Sequence, residues 1–457
     1  MTKHLGTGTL ERDPEPPIDE ATRTKNVFVV GYDAYQAELL GHLANRDGYA
    51  VHPLLDTDEL RGVDQLPFER LLHAAEGRLE RFPGPIDAIV TFLDFPAIEI
   101  MAILAERHGA RAPSLRATLK CNHKYWSRLL QRRVVPDHVP PFATFDPWDD
   151  DALENLGLDF PFWIKPFNAF RSLLGFRVNG PSDFARALPL IRDELPRIAA
   201  PFGQVMERLG DVPELRGVSP DHCLAEGIIG GRQCTLEGYV FEGDVGVYGV
   251  VDSIREANRS SFSRYQYPSA LPRHVQDRMT EVVERVMPEL EFKDGSFNAE
   301  FFYDEQRERV WLLEINARIS QSHCELFERV DGESNQKVAL DIALGRRPDP
   351  PYREGRYAVA GKFFVRVFSD GVVRRVPRAS DLDRLEKEVP GVTWQLQVEE
   401  GMLLSELHDQ DSYSFELAWL WIGADSQHEL LERYRRAVSL LGFELERPDG
   451  TVQRVEP

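Results

Sequence analysis

The stretch Phe297-Asn298-Ala299-Glu300-Phe301-Phe302-Tyr303, followed after a polar run by Val310-Trp311-Leu312-Leu313-Glu314-Ile315-Asn316-Ala317-Arg318, decides the reading of this chain. Both halves are apolar enough for β-strands, and residues 304–309 between them are wholly charged or amide, so the pattern predicts a hairpin. With the turn centred near Arg307, Glu300 stands opposite Glu314, and the two-residue period of a strand puts Asn316 on the face that carries Glu314. Opposed carboxylates inside a sheet repel each other and lose hydration, which is disfavoured without compensation. A cation between them removes the conflict. Carboxylate and amide oxygens suit Mg²⁺ or Mn²⁺, and Mg²⁺ held by only a few protein oxygens completes its shell with water and phosphates. The competing explanation is a hairpin whose acids face solvent; the apolar run continuing into Ile315 and Ile319 weighs against it.

At 457 residues the chain is too long for one ordinary core, and a hydrophobic fraction of 42% supports a fully folded protein of two to four packed units. A net charge of −21 argues against nucleic acid or an anionic membrane as the main partner, since both need a basic surface. Local basic pockets for a nucleotide remain compatible with it. Cys121, Cys223, Cys234 and Cys324 are scattered without Cys-x-x-Cys spacing, which points to reduced thiols rather than a disulfide frame or a zinc site. No apolar run approaches a membrane span and the amino terminus lacks a signal-peptide core, so the expectation is a soluble, cytoplasmic protein.

Residues 1–24, with Gly6, Gly8, Pro14, Pro16 and Pro17 among many charges, lack periodicity and read as a flexible tail. From Val27-Phe28-Val29-Val30-Gly31, a buried strand, a helix to about residue 45, a strand over 49–55, a helix over 68–81 and the strand Ala88-Ile89-Val90-Thr91-Phe92 alternate, which favours a small parallel sheet. The turn Val30-Gly31-Tyr32-Asp33 lacks Gly-x-Gly-x-x-Gly, so packing explains it better than a dinucleotide. Helices are expected over 98–107 and 114–132, after which Pro136, Pro140 and Pro141 break the chain before a strand over 142–145. Strand-length apolar runs and a helix near 182–195 make 160–254 an antiparallel-leaning α+β region. Helices over 271–290 and 335–344 follow, and Pro348, Pro350 and Pro351 mark a linker. The remainder offers strands near 358–368 and 415–422 and a helix near 427–441, and no internal repeat is visible.

A Glu in one strand and a Glu-x-Asn-x-Arg in the next, here Glu300 and Glu314-Ile-Asn316-Ala-Arg318, resembles the metal-binding signature of the ATP-grasp enzymes. Other residues extend the resemblance in the family's order over about 112–345. Lys165 ends the apolar run Phe160-Pro-Phe-Trp-Ile-Lys165-Pro166, where a buried ammonium must lose its charge or meet an anion; the family's Lys-Pro at such a strand end contacts the phosphates. Lys124, in Asn122-His123-Lys124-Tyr125-Trp126, matches a second phosphate-contacting lysine better than Lys120 does. Read alone, Lys165 is better explained as a lysine snorkelling at a strand end, and Lys124 or Lys120 is open to the reading of a surface charge. Glu226, in Cys223-Leu-Ala-Glu226-Gly227-Ile228-Ile-Gly230-Gly231, resembles the hinge where backbone groups meet adenine and acids hold the ribose; Gly227 replaces the usual second acid, leaving Glu226 or Glu237 for that contact. The loop Asn168-Ala-Phe-Arg171-Ser172-Leu-Leu-Gly175 departs from the family's glycine-rich loop, and Arg171 and Ser172 would supply side-chain donors instead.

The resemblance implies a fold of mixed α/β and α+β type: an ATP-grasp fold with an N-terminal Rossmann-like domain at 25–112, an ATP-grasp domain at 113–350 and a C-terminal α+β domain at 351–457. The ATP-grasp part would hold a small lid at about 140–225 and a metal-binding part at about 226–350. The cofactors implied are ATP and Mg²⁺ or Mn²⁺, two ions, with Glu300, Glu314 and Asn316 as metal ligands. Lys124, Lys165, Ser172, Glu226, Ile228 and Glu237 would bind the nucleotide, and Arg318 would be catalytic. Arg255, Arg264 and His323 are the candidate substrate contacts, His323 equally a structural histidine. The chemistry implied is activation of a carboxylate as an acylphosphate, followed by attack of an amine to give an amide, ADP and phosphate. The absence of a Ser-His-Asp or Cys-His pair agrees, because positioning and charge stabilisation suffice. The strand Gly361-Lys-Phe-Phe-Val-Arg366 and the turn Ser369-Asp370-Gly371 resemble the C-terminal domain of L-amino-acid ligases, favouring an amino acid as the small-molecule carboxylate, with an amine as co-substrate. Ile319-Ser320-Gln321-Ser322-His323 resembles the biotin carboxylase signature, so a carboxylase is the enzymatic alternative, although no Ala-Met-Lys-Met motif is present. A nucleotide-binding protein without catalysis is the other. Relatives often form homodimers, and the sequence leaves that choice open.

Overall fold

The computed structural model describes residues 23–61, 67–168, 174–256, 261–407 and 414–456. Most of the tail expected over 1–24 therefore lies outside the described residues. The first element, Lys25–Tyr32, is the centre of a three-stranded sheet, flanked by Tyr49–Asp56 and Ala88–Thr91, both parallel to it. Parallel neighbours need crossovers, and the helices Ala34–Asp47 and Phe68–Glu80 supply them. Asp33 caps the first by accepting from Gln36 N at 2.8 Å. The strand Ala88–Thr91 is buried throughout, as expected of a parallel strand covered on both faces.

The helix expected over 114–132 is two helices, Leu115–Asn122 and Lys124–Val134. The joint is His123, whose backbone is extended (φ −80°, ψ 95°) and whose Nδ1 accepts from Trp126 N at 3.2 Å. Burial pushes this imidazole down to about 3, so it is neutral and free to act as an acceptor. Lys124 consequently opens a new helix, and its own N–H bonds Phe167 O at 2.9 Å.

Four antiparallel strands in the order Phe142–Phe145, Cys223–Gly227, Phe162–Pro166 and Phe176–Val178 form a second sheet. The helix Pro181–Glu207 covers it and runs well past residue 195, where the sequence pattern suggested a stop before Pro196. Phe184, Ala187, Ile191, Leu195, Ala199 and Phe202 keep a helical spacing and are all buried, and burying that stripe outweighs the roughly 3 kcal/mol that an interior proline costs.

The largest sheet has eight strands, in the order Arg309–Asn316, Gly295–Asp304, Arg232–Phe241, Asp244–Arg255, Phe262–Tyr267, Val359–Val367, Phe415–Ala424 and Thr393–Leu396, with every neighbouring pair antiparallel. One face packs Cys234, Leu236, Phe301 and Leu312 in a common core with Val275, Met279 and Val283 of the helix Arg273–Glu289. Further along, Phe363, Leu420 and Ile422 pack with Leu430, Val438 and Leu441 of the helix Gln427–Leu441. The strands after residue 351 thus continue the same sheet. The opposite face carries the polar residues described next. All four cysteines are buried and unpaired.

Candidate nucleotide and metal site

In the hairpin Glu300 is the direct partner of Glu314, and Asn298 of Asn316, so the opposition of the two carboxylates is present. Partners across an antiparallel pair share a face, which puts both acids on the polar side of the large sheet. Glu300 accepts from Gln233 Nε2 at 3.0 Å, and Glu314 Oε2 lies 3.1 Å from Lys124 Nζ. Burial, and then the charge of Glu314, push the Glu300 carboxyl up to about 7. Burial acts on Glu314 in the same sense, but the ammonium groups of Lys124 and Lys165 outweigh it and hold that carboxyl below its ordinary value. Glu314 is surrounded by protein and still leaves 29% of its side chain accessible, which places it in the wall of a cleft. Asn316 Nδ2 donates to Asn298 Oδ1 at 2.9 Å, and Asn298 Nδ2 donates to Arg318 O at 2.9 Å, so the Asn316 amide oxygen is left as an acceptor.

Two carboxylates and an amide oxygen are hard donors, and their mutual repulsion is relieved by a divalent cation, so the residues fit Mg²⁺ or Mn²⁺. Among the described residues no three acids, imidazoles or thiols converge, and the third donor here is an amide. Lys165, at the end of its strand, is ion-paired with Glu226 Oε1, while Arg128 Nε and Nη2 reach Glu226 Oε2 at 3.0 and 2.9 Å. Burial lowers the Lys165 ammonium, and the Glu226 charge offsets only part of that. Burial would raise Glu226, but Arg128 and Lys165 bring it down to about 2, so it is a fixed anion. Lys124, Lys165, Glu314 and Glu300 interact as one charged cluster.

At the end of the Cys223–Gly227 strand, Ile228 is 38% exposed and lines an open recess of about 620 Å³ with Gly231, Arg232, Tyr303 and Trp311. Gly231 has φ +120°, and a Cβ there would stand 2.1 Å from Tyr303 O, so only glycine lets this turn lie against the hairpin.

The other residues singled out from the sequence are placed as follows. Glu226 and Glu237, the two candidates for the ribose contact, are both buried and bonded within the protein. Glu226 is clamped between Lys165 and Arg128, and Glu237 is fully buried, accepting from His323 Nδ1 at 2.7 Å, Ser320 N at 3.1 Å and Tyr248 Oη at 3.2 Å. His323 is equally buried by that contact, so it acts as a structural partner and not as a surface acid or base. Arg264 lies on the other face: it pairs with Ile254 and Phe363, and its half-buried guanidinium sits 5.9 Å from the ring centroid of Phe363, which packs beneath the last helix. Arg255 does reach the polar face, where its Nη2 bonds Gln233 Oε1 at 2.7 Å. Arg318 forms a two-pronged pair with Asp94, at 2.7 and 2.6 Å. Ser172 and Arg171 lie outside the described residues.

Sequence reasoning missed Arg128, Gln233 and Asp94. Arg128 sits one helical turn beyond Lys124 on a helix already read as facing the site, which was an available signal. Gln233 and Asp94 gave none, because their role comes from strands and loops distant in sequence.

Residues 158–325 match the family model described as an ATP-grasp domain. The large chain of carbamoyl phosphate synthase, C-terminal section, from Methanopyrus kandleri is 29% identical over 329 residues, covering 70% of this chain. This chain spans about half that relative's length, 54%. Among solved structures, an L-amino acid ligase from Bacillus licheniformis superposes with a TM-score of 0.68 at 16% identity, covering 93% of this chain and 99% of that one. A biotin carboxylase from Campylobacter jejuni, solved with a β,γ-ATP ligand, gives 0.62 at 15% identity, covering 96% and 94%. The chain carries an ATP-grasp domain and has the ATP-grasp fold. No helix among the described residues is long and apolar enough to cross a membrane.

Proposed function

We propose that this chain is an ATP-dependent carbon–nitrogen ligase that activates a small-molecule carboxylate, an amino acid being the favoured class, and couples it to an amine. The observation that carries the reading is the Glu300–Glu314 pair standing beside Lys124 and Lys165 in one cleft. A substrate carboxylate oxygen attacks the γ-phosphorus of ATP, the bond to the β-phosphate oxygen breaks, and ADP leaves. Lys124 and Lys165 offset the charge on the transferring phosphoryl group, and Arg318, whose guanidinium is paired with Asp94, adds positive charge close to Glu300 and Glu314. A divalent cation on Glu300, Glu314 and Asn316 would neutralise phosphate charge as a Lewis acid. The amine then attacks the acyl carbon, loses a proton to solvent, and the C–O bond to phosphate breaks, giving an amide and inorganic phosphate.

This reading divides the chain into a Rossmann-like part at 25–112, the ATP-grasp part at 113–350 and a C-terminal part at 351–457, and places the protein in the cytoplasm. The test is a screen for ADP release crossing carboxylates with amines, with Glu314→Ala as control. Release that needs one carboxylate and one amine, and that falls at least about a hundredfold in Glu314→Ala, is the expected result. Full Mg²⁺-dependent activity in Glu314→Ala would end the metal assignment. Release driven by bicarbonate alone would point to a carboxylase, and nucleotide binding without turnover on any pair would point to a binding protein.

A further inference from the structure

The two lysines of the cleft are paired in different ways. Lys165 rests on Glu226, a residue with no other ligand to serve, and Glu226 is also held by Arg128 at 2.9 Å. Lys124 rests on Glu314, itself one of the residues fitted to hold a cation, at 3.1 Å. The backbone of Lys124 is fixed beside Glu314, while its four-carbon side chain leaves the ammonium free to exchange one anion for another. Lys124 is the first residue of its helix, its backbone N–H is tied to Phe167 O at 2.9 Å, and the preceding His123 ring stacks on Phe167 with centroids 4.5 Å apart. An ammonium thus occupies an oxygen of the carboxylate that a free metal ion would need. Two cations competing for one carboxylate repel each other, and more so where the surrounding protein lowers the local dielectric.

A nucleotide changes the balance, because its phosphates offer Lys124 an alternative anion. We propose that Lys124 is an internal cation that blocks Glu314 until phosphates draw it away, so that the site takes the metal–nucleotide chelate and rejects the free metal ion. This deepens the metal and nucleotide reading given above and rests on it. Lys165 attracts the Glu314 carboxylate through space without bonding it. Removing either lysine deletes one positive charge from the cleft, but only removal of Lys124 vacates the ligand.

The test is Mn²⁺ binding to the full chain without nucleotide, read from the electron paramagnetic resonance signal of free Mn²⁺. Wild-type protein is expected to bind Mn²⁺ weakly, and Lys124→Met to bind it on the order of tenfold more tightly. Lys165→Met, which removes a charge without vacating the ligand, is expected to gain clearly less than Lys124→Met, and Lys124→Arg, which keeps the charge, is expected to stay near wild type. Adding ADP should tighten Mn²⁺ binding to the wild type and have a smaller effect in Lys124→Met. Circular dichroism of each variant establishes that it is folded. Equal Mn²⁺ affinity in wild type and Lys124→Met, or an equal gain in Lys165→Met, overturns the proposal. Failure of the underlying metal reading looks different: Glu300→Gln and Glu314→Gln placed in the Lys124→Met background would then leave Mn²⁺ binding unchanged.

Discussion

Glu99 stands in the first turn of the helix Ala97–His108 and has no exposed surface. Asn122 Nδ2 donates to one of its oxygens at 2.6 Å, and the other has no protein partner. Burial raises this carboxyl to about 7. Because the folded state holds the proton more tightly than the unfolded chain, stability is undiminished below about pH 4.5 and declines as pH rises toward 7. Glu99→Gln keeps an acceptor for Asn122 and cannot ionise. The expected outcome is a variant that melts at a higher temperature than wild type at pH 8 and at nearly the same temperature at pH 4.5, as measured by thermal unfolding at both values. A constant offset between the two proteins across that range would show that Glu99 does not ionise on unfolding. Arg128 illustrates the opposite regime of burial. It is 2% exposed, but its Nε bonds Glu226, its Nη1 bonds Gln131 Oε1 and Leu312 O, and its Nη2 is ion-paired with Glu226, so its charge is answered by a carboxylate inside the protein.

At the scale of elements, His123 is the instructive case. Its side chain caps Lys124–Val134, yet histidine is not among the usual capping residues, and the uninterrupted helical pattern through 114–132 gave no sign of a joint. His123→Ala is expected to cost about 1 kcal/mol or more from the lost cap alone, read as a lower urea midpoint. His123→Asn supplies a good capping oxygen and should recover much of the loss, though not the stacking on Phe167. Equal destabilisation in both variants would mean that the ring contact, not the cap, sets the cost. The hairpin was legible for the converse reason. Its apolar alternation and its charged turn are local, and the two-residue period fixes which side chains oppose one another without knowledge of the rest of the fold. The partners of Glu226 and Glu237 were not legible, because Arg128 on one and His323 on the other arrive from elements far away in sequence. The face that Arg264 takes was not legible either, because it depends on strand register, and the adjacent Arg264 and Tyr265 point to opposite sides.

For the whole molecule, the decisive fact is that the strand Phe262–Tyr267 is paired on one edge with Asp244–Arg255 and on the other with Val359–Val367. The sequence, with its prolines at 348, 350 and 351, suggested a C-terminal unit beyond a linker. The sheet runs across that linker without a break. Val251, Tyr267 and Phe327 from before it share a core with Ala360 and Trp421 from after it. A fragment ending at residue 350 would therefore expose the polar backbone edge of Phe262–Tyr267 together with this apolar patch, the combination that recruits other strands. Such a fragment is expected to be insoluble or to elute from a sizing column as aggregate, and its core amides to exchange with solvent faster than those of the full chain. A soluble, monomeric fragment with native far-ultraviolet circular dichroism and intact ADP binding would show that the strands before residue 350 form a complete unit and that the later strands only rest against it.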